Sequence, residues 1–156
     1  MASAENIYDE LKWRGLIFQE TGVDGVRDYL VNNTVGVYCG FDPTGDSLHI
    51  GNLVPLITLR RFQEFGHSAF PLAGGATGLI GDPSGKSDER NLQTPEDVAN
   101  NLINIEKQLQ QIVDFSTDKA LLVNNYDWVS KMNVIEFLRD VGKHFSVNAM
   151  MQKDSV

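Results

Sequence analysis

A chain of 156 residues with 42% hydrophobic content is long enough to bury one sizeable core, so a single domain is expected. Its 21 acidic and 13 basic residues leave a formal charge of -8, which repels nucleic acid at long range, so any polyanion has to be met by local groups. Cys39 is the only cysteine and excludes an internal disulfide, no apolar run is long enough to cross a bilayer, and Met1-Ala2-Ser3-Ala4-Glu5-Asn6 lacks the basic and apolar regions of a secretory signal, so a cytoplasmic protein is expected.

In chain order, Ile7 to Trp13 reads as a short helix ended by Gly15, and Val26, Tyr29 and Leu30 mark a second before Asn32-Asn33. Thr34 to Phe41 alternates as a strand, with Val35, Val37, Cys39 and Phe41 on one face and Gly36, Tyr38 and Gly40 on the other. Leu53, Leu56, Ile57, Leu59 and Phe62 recur at helical steps between Asn52 and Phe65, and Gly66 supplies a stop. Ala69 to Ala73 is a short buried strand. Thr94-Pro95-Glu96-Asp97 is a strong helix start, with a hydroxyl cap, proline at the first position and acids placed as dipole partners. Val98, Leu102, Ile105, Leu109 and Ile112 then form a core-facing stripe. Ala120 to Val123 reads as a strand running into Asn124-Asn125-Tyr126-Asp127-Trp128, and Asn133 caps a helix through Val134, Phe137, Leu138 and Val141 to Gly142. Strands alternating with helices imply an α/β fold, a parallel sheet with helices on both faces.

Two loops stand out because plain packing does not require their composition. Tyr38 to Asn52 and Gly74 to Arg90 combine glycines, small hydroxyls, acids and one lysine, each after an apolar strand, where open α/β sheets hold nucleotides. In the first, Asp46 and Ser47 are candidate caps for the helix carrying His49 and Asn52, whose i, i+3 spacing puts both on one face. With free backbone N–H groups and the positive dipole end, they would dock phosphate. A lone histidine at a helix start is more often a partly exposed polar residue; Gly45 and Gly51 on either side, which let a ligand approach the backbone, favour the functional reading.

The second loop does not match a G-x-x-x-x-G-K-[ST] phosphate loop, because only three residues separate Gly81 from Gly85, and glycines at 75, 78 and 81 do not make a dinucleotide fingerprint. What it offers is a glycine-hinged segment with Lys86 and Arg90, able to meet a leaving pyrophosphate. Standing alone, these two charges would read as partners of Asp88 and Glu89 on a wet loop. No catalytic triad can be assembled from three histidines: His67, after Gly66, reads as a surface dipole partner, and His144 beside Lys143 as structural. Catalysis by positioning and charge stabilisation suits phosphoryl or nucleotidyl transfer.

Tyr38-Cys39-Gly40-Phe41-Asp42-Pro43-Thr44, His49-Ile50-Gly51-Asn52 and Gly74 to Lys86 closely resemble bacterial tyrosyl-tRNA synthetases, and the likeness continues through Asn124 to Trp128 and Phe137 to Asn148. The resemblance implies a Rossmann-like catalytic domain in which tyrosine attacks ATP, carried with Mg²⁺, to give tyrosyl-adenylate and then passes to tRNA(Tyr), most often in a homodimer and away from any membrane. An ionised carboxylate needs no protein base, which agrees with the missing triad. It further implies Thr44, His49 and Asn52 on the ATP phosphates, Cys39, Gly40, Asp42 and Gly51 about the adenylate, and Lys86 and Arg90 on pyrophosphate. Tyr38 would face the substrate phenol, Thr77 and Asp82 would hold its amino group, and Asn125 would lie behind the tyrosine pocket. No residue is expected to serve as a metal ligand.

Position 52 departs from the family's usual histidine, but an asparagine N–H₂ donates from nearly the same place. Pro55 falls in the first or second helical turn, where its missing N–H is expected to cost little. Family members also continue for more than twice this length, so the resemblance makes residues 1–156 the amino-terminal part of the catalytic domain, without its remainder or the anticodon-binding region, and inactive alone. Two other readings stand beside it: a small nucleotidyltransferase adenylating a cofactor precursor, and a non-catalytic binding module that keeps the fold.

Overall fold

A computed structural model describes residues 4–20, 25–81, 93–116 and 118–152, which divide into two compact units, Met1–Asn125 and Tyr126–Val156. In the first unit Asn6 opens α1 (Ile7–Trp13) by accepting the Asp9 N–H at 2.9 Å, and α2 (Val26–Asn32) follows. Next come β1 (Gly36–Phe41), α3 (Ile50–Glu64), β2 (Ser68–Ala73), α4 (Gly75–Ile80), α5 (Pro95–Leu109) and β3 (Val123–Asn124). Gly15 and Gly66, both at positive φ, follow α1 and α3 as expected. Thr94 caps α5, exchanging bonds with Asp97 and holding that carboxyl below its ordinary range.

The strands are parallel in the order β1-β2-β3, with Tyr38 opposite Phe70, Phe41 opposite Ala73, and Ala73 opposite Asn124. The expected alternation of β1 holds. Val37, Cys39 and Phe41 point into a core of Leu56 and Leu59 from α3, Ala69 from β2, and Ile105 and Leu109 from α5, while Tyr38 is 71% exposed on the opposite face. Ile105 and Leu109 are 1% and 0% exposed, and burying an aliphatic side chain so fully contributes about 1.5–3 kcal/mol. A second cluster joins Ile7 and Leu11 to Phe62, and a third joins Ala73 to Val98 and Leu102.

Several expectations need correction. The strand expected over Ala120 to Val123 is only Val123–Asn124, preceded by a lone bridge from Ala120 to Ala69. Apolar content marked the segment, but ladder length depends on the neighbouring strand. The glycine-rich stretch after β2 is helical from Gly75 to Ile80, since its glycines serve close packing rather than looseness: a Cβ on Gly75 would overlap the Asn124 side chain. Asp46 and Ser47 do not cap α3, whose N-cap is His49.

His67 is not a surface residue. It is 5% exposed, and its Nδ1 accepts the Val35 N–H at 3.3 Å, fixing the entry to β1. Burial, followed by the charge of Lys119, holds its pKa below the usual 6.5. Between the folded and unfolded values the native state binds fewer protons, so stability is full above about 6.5 and is lost as pH falls through the folded value. The urea midpoint, followed from about pH 7.5 down to about pH 5, is expected to fall more in wild type than in His67→Gln. Parallel curves would contradict this account.

In the second unit Asn133 accepts the Glu136 N–H at 2.9 Å as expected of a cap, but α7 (Val134–Glu136) opens into a π-helical turn over Phe137–Val141 and a 3-10 turn over Gly142–His144. α6 (Tyr126–Val129) and α8 (Val147–Met151) were not foreseen. None of residues 126–152 is buried, so the Val134, Phe137 and Leu138 stripe is exposed. No helix among the described residues is long and apolar enough to cross a membrane.

Candidate active site

Several candidate site residues follow the ends of the parallel strands. Asp42, Thr44, His49 and Asn52 follow β1, Thr77 follows β2, and Asn125 follows β3. Ligands of open α/β sheets bind outside these carboxyl ends.

His49 is both cap and candidate ligand. Its Nδ1 accepts the Gly51 N–H at 3.0 Å, while its own N–H donates to Asn52 Oδ1 at 3.1 Å and its carbonyl accepts the Asn52 N–H at 2.9 Å. The backbone N–H groups of residues 49, 51 and 52 are therefore already bonded, contrary to the expectation that they stand free for phosphate. The donors turned outward are on side chains. A neutral imidazole that accepts at Nδ1 carries its proton on Nε2, and an asparagine whose Oδ1 is engaged keeps both Nδ2 protons. Gly51 serves this cap directly, because a Cβ there would stand 2.8 Å from the His49 ring. Pro55 lies at the sixth helical position, past the unbonded first turn, so it removes an intrahelical bond to the Gly51 carbonyl.

A second group of residues is joined by side-chain bonds. Asn125, 7% exposed, accepts the Ala76 N–H at 2.7 Å through Oδ1 and donates through Nδ2 to Thr77 Oγ1 at 3.2 Å. Thr77 Oγ1 donates in turn to Asp42 Oδ1 at 2.5 Å. This chain ties the end of β3 to the start of α4 and to the β1–α3 loop, leaving Asp42 and Thr77 exposed at the surface.

Tyr38 and Gly40 lie on the exposed face of β1, whereas Cys39 packs toward the core; burial raises its thiol pKa, which opposes a nucleophilic role. Asp82, Lys86 and Arg90 lie outside the described residues. A shallow cavity of about 260 Å³ beside the start of α3 touches His49 and Asn52 but none of Tyr38, Asp42, Thr44 or Thr77. No group of His, Cys, Asp and Glu among the described residues is arranged to hold a metal ion.

Three contacts escaped the sequence reading. Gln93 Nε2 donates to the Thr44 carbonyl at 2.9 Å, Asn101 Nδ2 to the Pro43 carbonyl at 3.3 Å, and Gln108 Oε1 accepts the Leu48 N–H at 2.9 Å. The only available signal was positional: Asn101 and Gln108 sit seven residues apart, each directly before a buried leucine of the α5 stripe.

Such a sheet, with polar side chains at its strand ends and a histidine-capped first crossover helix, defines an α/β domain of the Rossmann-like kind. Residues 31–156 match the sequence profile of tRNA synthetases class I (W and Y), and the chain belongs to that family. Among solved structures it is similar to a C-terminally truncated Aspergillus nidulans mitochondrial tyrosyl-tRNA synthetase, with a TM-score of 0.82 and 27% identity over 98% of this chain and 46% of that one. It is also similar to a C-terminally truncated Coccidioides posadasii mitochondrial tyrosyl-tRNA synthetase, with a TM-score of 0.76 and 28% identity over 97% of this chain and 44% of that one. The chain therefore spans less than half the length of either neighbour.

Proposed function

We propose that this chain is the amino-terminal part of the catalytic domain of a tyrosine–tRNA ligase, binding ATP as its Mg²⁺ complex and half of the tyrosine pocket. A tyrosine carboxylate oxygen attacks the α-phosphorus, the bond to pyrophosphate breaks, and the tyrosyl group then passes from the adenylate to the terminal adenosine of tRNA(Tyr). His49 Nε2–H, Asn52 Nδ2–H and Thr44 meet phosphate oxygens as charge moves toward the leaving group. Cys39, Gly40, Asp42 and Gly51 lie about the adenylate in this reading. Thr77 and Asp82 hold the tyrosine ammonium, Asn125 keeps Thr77 in place, and Tyr38 faces the phenol.

The observations that carry this reading are the Asn125–Thr77–Asp42 chain and the reciprocal His49/Asn52 cap, each following the end of a parallel strand. Lys86 and Arg90 are assigned to pyrophosphate. In support, the residues on both flanks of their segment are bonded to the same loop, Thr77 to Asp42 and Gln93 to Thr44. Tyrosine is preferred to tryptophan on the strength of exposed Tyr38 and of two tyrosyl-specific neighbours.

With a formal charge of -8, most tRNA contacts belong elsewhere in the full-length protein or on a second subunit. A homodimer fits the exposed Val134, Ile135, Val147 and Met151. A bacterial, cytoplasmic enzyme is the placement the residues favour, beside neighbours that are mitochondrial. The test is exchange of labelled pyrophosphate into ATP by the full-length protein. Exchange that requires tyrosine supports the reading; exchange driven by tryptophan, or none with either amino acid, overturns it.

A further inference from the structure

Helix α5 lies outside every motif that the proposed reaction uses, yet it and the residue pair before it place three side-chain amides on the β1–α3 loop. Gln93 and Asn101 hold the carbonyls of Thr44 and Pro43 where the loop begins, and Gln108 holds the N–H of Leu48 where it ends. Between these grips, Thr44, Asp46 and Ser47 are exposed and outside any helix or strand. Such backbone would retain much of its conformational freedom without external restraint.

We propose that Gln108 is a positioning residue for the reaction at His49, a role that rests on the tyrosine–tRNA ligase reading. Leu48 directly precedes the N-cap. Its side chain packs on the core cluster, and its N–H meets Gln108 Oε1 at 2.9 Å in a part-buried contact. These two restraints fix the Ser47–Leu48 peptide plane and the Leu48 side chain, one residue before the cap, and so the backbone from which the capped imidazole presents Nε2–H. Gln108 reaches that point because α5 is clamped to the sheet by Ile105 and Leu109 on either side of it. It is favoured over its companions for two reasons: the Asn101 contact is longer, and Gln93 Oε1 is buried with no donor among the described residues, so that side chain is only half satisfied. Misplacing a reacting group by about 1 Å costs up to roughly 10²-fold in rate, so a lost backbone restraint one residue away is expected to register in kcat.

The test uses Gln108→Leu and Gln108→Glu in the full-length protein. Leucine removes the acceptor; glutamate keeps a carboxylate oxygen able to take the same N–H. Gln108→Leu is expected to lower kcat of tyrosine-dependent pyrophosphate exchange roughly ten- to a hundredfold, with KM for tyrosine unchanged, and to speed hydrogen exchange at the Leu48 amide. Gln108→Glu is expected to restore most of the kcat and the amide protection. Wild-type kcat in Gln108→Leu, or equal losses in both variants, would overturn the inference while the enzyme reading stands. Absence of tyrosine-dependent exchange in wild type would overturn that reading, and this inference with it.

Discussion

Replacing His49 with asparagine is expected to slow adenylate formation about 10²–10³-fold while leaving stability within about 0.5 kcal/mol of wild type. The two parts of this result have different origins. Asparagine is among the best N-caps and can accept the Gly51 N–H that His49 Nδ1 now accepts at 3.0 Å, so the start of α3 survives. It cannot also present a donor where Nε2–H stands. That donor acts on charge that develops only as pyrophosphate leaves, so its loss should fall on kcat more than on ATP affinity. His49→Ala is expected to lose the same rate and, with the cap gone, about 1 kcal/mol of stability as well. Pyrophosphate exchange and urea unfolding of the three proteins check both parts. Wild-type kcat in His49→Asn would remove His49 from the chemistry; wild-type stability in His49→Ala would remove it as the cap.

Asn125→Ala is expected to cost about 1–3 kcal/mol of stability together with much of the tyrosine affinity. Asn125 is 7% exposed, so its removal leaves the Ala76 N–H without its 2.7 Å partner in a place water does not readily reach. It also removes the donor to Thr77 that orients the bond from Thr77 to Asp42. Thr77→Val separates the effects. Valine removes the hydroxyl but leaves Asn125 Oδ1 on the Ala76 N–H, so it should destabilise less than Asn125→Ala while KM for tyrosine still rises. Equal destabilisation by the two substitutions would show that the chain of bonds is structural and has no part in holding substrate.

Helices α1, α2, α3 and α5 and strands β1 and β2 of the first unit were legible because each obeys a local rule. Thr94-Pro95 and the spacing of Val98, Leu102, Ile105 and Leu109 gave α5, and the alternation through Phe41 gave β1. The resemblance singled out Asp42, Thr77 and Asn125, and the three are joined by side-chain hydrogen bonds. Hidden from the sequence were features set by partners distant along the chain. His67 is buried because Val35, 32 residues earlier, supplies its hydrogen bond. Gln108 matters through Leu48, 60 residues earlier. The start of α3 was misplaced because histidine is an uncommon cap, whereas Asp46 and Ser47 are favoured ones that this backbone does not use. In the second unit, no residue pattern announced that the helix after Asn133 would open into a π-helical turn.

The most direct test of the central claim, that the capped His49 presents Nε2–H to the triphosphate of ATP, is nitrogen NMR of the imidazoles in the full-length protein during titration with ATP and Mg²⁺. The account predicts a neutral His49 ring protonated on Nε2, whose Nε2 resonance moves as the nucleotide binds, while buried His67 and distant-in-sequence His144 stay where they are. A His49 ring protonated on Nδ1, or one whose signals ignore bound ATP, would contradict it.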